Sequence, residues 1–279
     1  MITTRVVSET GSHPDIAWGS DGSPIVVFTL DGSVVLRWLS EMPSSSTQVI
    51  HCNGHQNPFP RIVRRQHLDD IWLAYRAVRH GRACIILRDV PSYALGAVLG
   101  EERVAGRCSR QDHYPVCVSP DGWIAWQDSY RGEVLGIFGG IPPLVNGMPD
   151  PDCYACAIPL GPKDDRWLPV PRSLRQTIHP GGLSRIFGHW PVFAHEDKFV
   201  EPSLVSPVYA DGCVVGVGES GQLIAELYDG PPVVVLDGPC QSPRLAHRVD
   251  GTYAAVTWGQ GVGVLMVTFT ADDLRQAST

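Results

Sequence analysis

Long apolar runs are missing from this 279-residue chain, and charge is sparse. No stretch approaches the roughly 18 uninterrupted apolar residues of a membrane-spanning helix, so no segment is expected to insert into a bilayer. Only 18% of the residues are charged while 43% are hydrophobic, which supplies a core and excludes a disordered chain. Lysine is nearly absent: Lys163 and Lys198 are the only lysines among 22 basic residues. The arginine surplus reads as codon usage in a GC-rich genome rather than as selection for guanidinium contacts. The net charge of −7 lacks the positive balance of a protein that binds nucleic acid by neutralising phosphates. Eight cysteines are too few for a disulfide scaffold, and several, such as Cys84 and Cys117, sit in apolar runs as small hydrophobes. The opening Met1-Ile-Thr-Thr-Arg5 lacks the basic-then-apolar pattern of a secretory signal.

Turn-makers, by contrast, are abundant. Glycine (29) and proline (24) make up about a fifth of the chain, against roughly 12% on average. They are not scattered. A proline opens a short strand, an Asp-Gly turn follows, then an apolar strand ending in an aromatic, a second glycine turn and another apolar strand. The first copy has Pro14, Asp21-Gly22, Phe28, Asp31-Gly32 and Trp38; the second has Pro60, Asp69-Asp70, Tyr75 and His80-Gly81. The third has Pro115, Asp121-Gly122, Trp126 and Arg131-Gly132, and later copies start at Pro207 and Pro243. From first turn to second turn the steps are 22 to 32, 70 to 81, 122 to 132, 212 to 221 and 251 to 261. Such a constant interval fits one antiparallel hairpin per copy, with Asp-Gly supplying the positive φ angles of a tight turn.

A period near 45 residues with three or four strands each predicts the blades of a β-propeller. Continuous apolar runs such as Ile25–Phe28 and Val233–Leu236 suit strands buried on both faces. The last copy, ending at Val264–Phe269, lacks a fourth strand, and Thr3–Ser8 lacks a blade. The N-terminal strand is therefore expected to complete the last blade and close the ring. The expected fold is all-β, a single propeller domain over 1–279. It has six blades, or five if the irregular, proline-rich stretch of about 141–206 is mostly insertion.

The segment Pro14 to Phe28, with its Pro-x-Ile-Ala-x-x-x-Asp-Gly-x-Pro-x-Val-x-Phe pattern, resembles the blade repeat of sialidase-like propellers of bacterial and phage surface proteins. The strict Asp-box of true sialidases (Ser-x-Asp-x-Gly-x-x-Trp) is absent, so the resemblance implies architecture rather than an activity.

Candidate chemistry centres on the mouth of the central channel. His13-Pro14-Asp15-Ile16 resembles the first-blade motif of five-bladed arabinanases and xylosidases. That resemblance implies Asp15 as base, Asp128 as a second carboxylate and Glu201 or Glu196 as acid. The plainer reading makes Asp15 a strand cap and Asp128 a turn residue. Cys153-x-x-Cys156 with Cys52 and His55 has the residue types of a zinc site, but a second Cys-x-x-Cys is lacking, and the expectation is no metal and no cofactor. Phe28, Tyr75, Trp126 and Trp258 are expected to pack between blades rather than stack on sugars, with Arg37, Arg76 and Arg88 as the polar partners of a lectin reading. Prolines crowd the 141–206 stretch, which opposes helix and central strand and predicts long loop or extended arm, the alternative being a drifted, degenerate blade. Trp167, Trp190, Lys163 and Lys198 are its candidate partner contacts.

Taken together, the expectation is a non-enzymatic binding or structural module. The specific form expected is a phage virion component of tail, fibre or adaptor type, at synthesis cytoplasmic. Its partners would be other structural proteins or a cell-surface glycan. The alternatives are a glycoside hydrolase of the five-bladed type and a multivalent lectin.

Overall fold

The computed structural model describes residues 1–40, 46–54, 58–64, 70–93, 98–107, 205–210, 212–227 and 230–278; between 117 and 170 it describes only the strands. After β1 (Thr3–Ser8), one four-stranded antiparallel sheet contains β2 (Ser12–Trp18), β3 (Pro24–Leu30), β4 (Ser33–Trp38) and β5 (Thr47–His51) in that order. The next sheet repeats the order with β6 (Arg61–Arg64), β7 (Ile71–Arg79), β8 (Arg82–Val90) and β9 (Arg103–Arg107). A three-stranded sheet follows, of β10 (Cys117–Val118), β11 (Trp123–Asp128) and β12 (Glu133–Gly139). Two short ladders come next: β13 (Leu144–Val145) with β14 (Met148–Pro149), and β15 (Cys156–Pro159) with β16 (Trp167–Val170). Then come β17 (Val205–Ala210), β18 (Cys213–Val217), β19 (Leu223–Leu227) and β20 (Val233–Leu236) in one sheet, and β21 (Gln241–His247), β22 (Thr252–Gly259) and β23 (Gly263–Thr270) in the last.

The hairpins follow from their turns. Asp31 (φ 48°) and Gly32 (φ 70°) are the two residues between Leu30 and Ser33, which pair with each other. Positive φ at both positions is the type I′ geometry that matches strand twist. The first turn works differently in the first and last copies. Asp21 accepts the Ser23 N–H at 2.9 Å and Asp250 accepts the Thr252 N–H at 3.0 Å, each mimicking a backbone turn with its carboxylate. The aspartate is thus selected for its acceptor in one turn and for its tolerance of positive φ in the other.

Alternation along each middle strand decides how the sheets pack. Ile25 and Val27 join Leu73, Tyr75 and Ile86 of the second blade in one core, while Val26 and Phe28 join Val256, Val264 and Met266 of the last blade in another. A third core links β18 and β19 to Tyr253, Val267 and Phe269. Both faces of a blade are therefore buried, which is why its strands read as unbroken apolar runs. The strands β10, β6, β2, β21 and β17 are neighbours in that order, one from each of five sheets, as innermost strands of a propeller are. The chain is an all-β propeller.

Closure occurs as expected. β1 pairs antiparallel with β23, Thr3 opposite Thr268 and Arg5 opposite Met266, so the N-terminal strand supplies the fourth strand of the last blade. Arginine reinforces the joints. Arg37 of β4 donates to the Val7 carbonyl on β1, and Arg248 donates to the Gly22 carbonyl at 2.8 Å while lying 4.9 Å over the Trp18 ring. Arg64 likewise reaches the Gly19 carbonyl at 3.4 Å. The arginine surplus thus has a structural use that composition alone did not reveal.

The paired strands β13–β16 lie within the proline-rich stretch. One feature departs from the sequence reading: a short helix, α1 (Ala271–Ala277), follows β23. Thr270 and Asp273 cap it reciprocally, and Leu274 enters the third core with 2% exposure. The number of blades depends on residues outside the described set.

Candidate functional site at the channel mouth

Three innermost strands begin with the same kink. His13 (φ 52°), Phe59 (φ 43°) and Ser242 (φ 47°) each adopt a left-handed backbone immediately before a proline. In β2 and β21 the register with the next strand skips at this place, between Ser12 and Asp15 and between Gln241 and Arg244. A left-handed conformation is uncommon for residues other than glycine, and bulges of this sort re-aim side chains. The residues just after the three prolines are Asp15, Arg61 and Arg244. Because β2 lies between β6 and β21, the carboxyl of the first blade has a guanidinium of a neighbouring blade on either side.

Asp15 is 8% exposed. Its Oδ1 accepts the Ile16 N–H at 3.0 Å and its Oδ2 accepts the Ile62 N–H, from β6, at 2.9 Å. Burial raises its pKa; Arg61, Arg244 and the two main-chain donors pull it down without cancelling the burial. Arg61 donates to the Pro60 carbonyl at 2.9 Å and Arg244 to the Pro243 carbonyl at 3.1 Å, the same posture in two blades.

Aromatic rings stand over this cluster. The His13 ring meets Phe59 edge-on at 4.5 Å and tilts against Trp258 at 5.3 Å, joining three blades at one point. Burial, then Arg61, then Arg244 lowers the His13 pKa to about 4, so its imidazole is neutral at neutral pH. Arg76, fully buried, places its guanidinium 5.9 Å from the centre of Phe59. The Trp258 Nε1–H is buried and has no hydrogen-bond partner among the described residues.

The outer wall carries a second feature, a hollow of about 440 Å³ between β5 and the second blade, lined by Val49, His51, Arg88 and Glu102 among others. Glu102 accepts from Tyr75 Oη at 2.8 Å and from Arg79 Nε and Nη2 at 2.6 Å each. Its carboxyl lies below the usual range, chiefly through Arg79. This network ties β7 to the segment before β9.

Asp15 lies on an innermost strand, where its two carboxyl oxygens accept main-chain N–H groups from β2 and β6 and tie the two blades together. Asp128 ends β11, Cys156 opens β15 and Trp167 opens β16; the side chains of all three lie outside the described residues, as do Glu196, Glu201, His55, Cys153, Lys163, Lys198 and Trp190. Cys52 is buried in the first core, with its thiol pushed up to about 12 by burial. Among the described residues no group of three or more His, Cys, Asp or Glu side chains could hold a metal ion. Phe28 and Tyr75 are packed between blades. Trp258, half-buried, packs against the core shared by the first and last blades and faces His13. Sequence reasoning missed Arg61, Arg244 and Phe59. Their signal was present, since each adjoins a repeat proline, but only the ring order shows that these repeat positions converge.

No family model matches the chain, and no curated protein matches it. Among solved structures, a glucose dehydrogenase shares 11% identity at a TM-score of 0.48, over 96% of this chain and 99% of that one. A GH43 endo-arabinanase from Bacillus licheniformis shares 12% at 0.40, over 93% of each chain. The GH43 BlXynB protein from Bacillus licheniformis shares 14% at 0.37, over 97% of this chain and 55% of that one. At these values the likeness bears on no activity, and the fold assignment rests on strand order and inter-blade packing.

Proposed function

We propose that this propeller is a binding and structural module that performs no glycoside hydrolysis. One observation carries the reading: both oxygens of Asp15 are occupied by main-chain N–H groups in a buried position. A glycosidase base or nucleophile must present a carboxylate oxygen to water or to the sugar, and a second carboxyl must stand about 5–10 Å away. Among the described residues the charged groups acting on Asp15 are arginines, not a second acid. The rigid ring would offer its loops to a partner, another structural protein through one rim, with a cell-surface glycan as the further ligand class. Within this proposal the chain belongs to a phage tail, fibre or adaptor, and Trp167, Trp190, Lys163 and Lys198 supply contacts. Long ordered loops on a rigid scaffold are the usual place for such contacts.

The test is an assay of aryl arabinofuranosides and xylopyranosides with the wild type, Asp15→Asn and Asp128→Asn. No turnover above buffer is expected from any of them. Wild-type turnover abolished in the folded Asp128→Asn variant would overturn the reading. The virion assignment is tested by probing purified particles for the chain; its absence from particles defeats that part.

A further inference from the structure

The outermost strands of the four-stranded sheets, β1, β5, β9 and β20, each have one edge with no partner strand among the described residues. Proteins blunt such edges with charge, proline or a bulge. β1 carries Arg5, β9 carries Arg103 and Arg107, β20 follows Pro231-Pro232, and a register shift interrupts the ladder of each. β5 uses none of these devices. Thr47-Gln-Val-Ile-His51 holds no carboxylate, lysine, arginine or proline, and it pairs with β4 without a break, from Ser33 opposite His51 to Arg37 opposite Thr47. The Trp38 N–H donates to the Ser46 carbonyl at 3.1 Å, so by strand alternation Gln48 and Ile50 also bond to β4. Thr47, Val49 and His51 therefore turn their main-chain groups to the open edge, and Arg79 reaches the His51 carbonyl there at 3.5 Å.

The hollow of about 440 Å³ runs along this edge. Four consecutive residues, Gln48 to His51, line it, and because successive side chains point to opposite faces, what they share is the strand edge. Val98, Leu99, Arg88 and Glu102 of the second blade line it too, and Val49 and Val98 are 54% and 79% exposed. Tyr75 and Arg79 occupy both oxygens of Glu102. Arg88 donates through Nε to the Gly100 carbonyl at 2.8 Å and approaches Glu102 only to 3.6 Å. Two guanidiniums thus share one carboxylate, and the hollow keeps a positive surplus at Arg88.

We propose that β5 accepts an extended segment of a partner protein as an added strand, with apolar side chains of that segment against Val49 and Val98 and an acidic one on Arg88. Main-chain bonds to the open edge supply affinity in this mode, and the alternate side chains supply selectivity. The acid is required by charge: a guanidinium pairs with a carboxylate through strong, charge-assisted bonds. A second copy of β5 would bring no carboxylate to Arg88, which favours a foreign segment over self-pairing. This rests on reading the ring as a binding module.

The full chain is titrated, by fluorescence anisotropy, into a labelled Thr-Val-Glu-Val-Thr-Val peptide, its lysine-for-glutamate counterpart, and two forms of the acidic peptide N-methylated at alternate amides in opposite phase. Saturable binding of the acidic peptide is expected, with the lysine peptide about tenfold weaker or more. One N-methylated form should lose binding and the other keep it, because every second amide of an added strand faces β5. Val49→Pro removes an N–H that faces the open edge and spares the ladder to β4; it should weaken binding about threefold or more. Arg88→Gln should bring the acidic peptide down to the lysine peptide's level. The proposal is overturned if the acidic peptide does not bind, if the lysine peptide binds equally, if the two N-methylated forms behave alike, or if either folded variant keeps its affinity. Should a variant fail to fold, the N-methylated pair on the wild type decides. A dimer of the wild type in sedimentation that Val49→Pro dissolves would assign the edge to a second copy and overturn the proposal. Turnover of a glycoside would defeat the non-catalytic reading and leave the edge site standing; absence of peptide binding would do the reverse.

Discussion

Replacing Asp15 with alanine removes the acceptor that serves main-chain donors on two blades at once. Ile16 and Ile62 would both be left with N–H groups facing a buried space. Each orphaned donor costs about 1–3 kcal/mol, so the expected loss is about 2–6 kcal/mol, reduced by whatever is recovered from no longer burying a carboxyl. Asparagine does not repair the site. It offers one oxygen and sets an amide N–H against the other donor, so a loss of about 1–3 kcal/mol is expected. The pH dependence separates this account from a simple packing effect. Burial raises the folded pKa of Asp15 above its unfolded value of 3.8. Stability from that shift is fully present below the unfolded value and is lost as pH rises through the folded one. The advantage of the wild type over Asp15→Asn should therefore shrink as pH is raised through the acid range. Urea unfolding of the three proteins across that range measures both effects. A loss below about 1 kcal/mol for Asp15→Ala, or an advantage that grows with pH, refutes the reasoning.

Leu36, fully buried between the first two blades, should cost about 2–5 kcal/mol on replacement by alanine, whereas Val49→Ala at 54% exposure should stay within about 0.5 kcal/mol; urea unfolding compares them. Arg248→Ala loses the bond to Gly22 and the stack on Trp18, an expected destabilisation of about 1–3 kcal/mol by the same measurement. Thr270→Ala removes one half of the cap on α1 and should cost about 1 kcal/mol, read as earlier hydrogen exchange at residues 271–277. Cys52 and Cys213, each with its thiol pushed up to about 12 by burial, should react with a thiol reagent only as the protein unfolds; fast native labelling at either position, mapped by mass spectrometry, contradicts their burial.

Local chemistry carried the architecture. Asp31-Gly32 and Asp250-Gly251 announce their turns because few other residues accept those backbone angles or mimic a turn with a short carboxylate. The apolar runs of β3 and β8 announce strands covered on both sides, and the unmatched Thr3–Ser8 announces closure, because an edge left open is a liability. The helix α1 was also written locally, in Thr270 and Asp273, but seven residues at the end of a strand-rich chain were easily read as a tail.

The mouth was a different matter. Asp15 in its motif looks like a catalytic acid or base, and nothing within ten residues of it shows that Ile62 will take one of its oxygens. Arg244 stands beside it only because β1 closes the ring and brings the last blade against the first, more than two hundred residues apart in the chain. Turns and strands depend on neighbours in sequence, so they could be read from sequence alone. The charge, burial and reactivity of a side chain depend on neighbours in space, and here those neighbours were chosen by ring order, which only the folded structure decides.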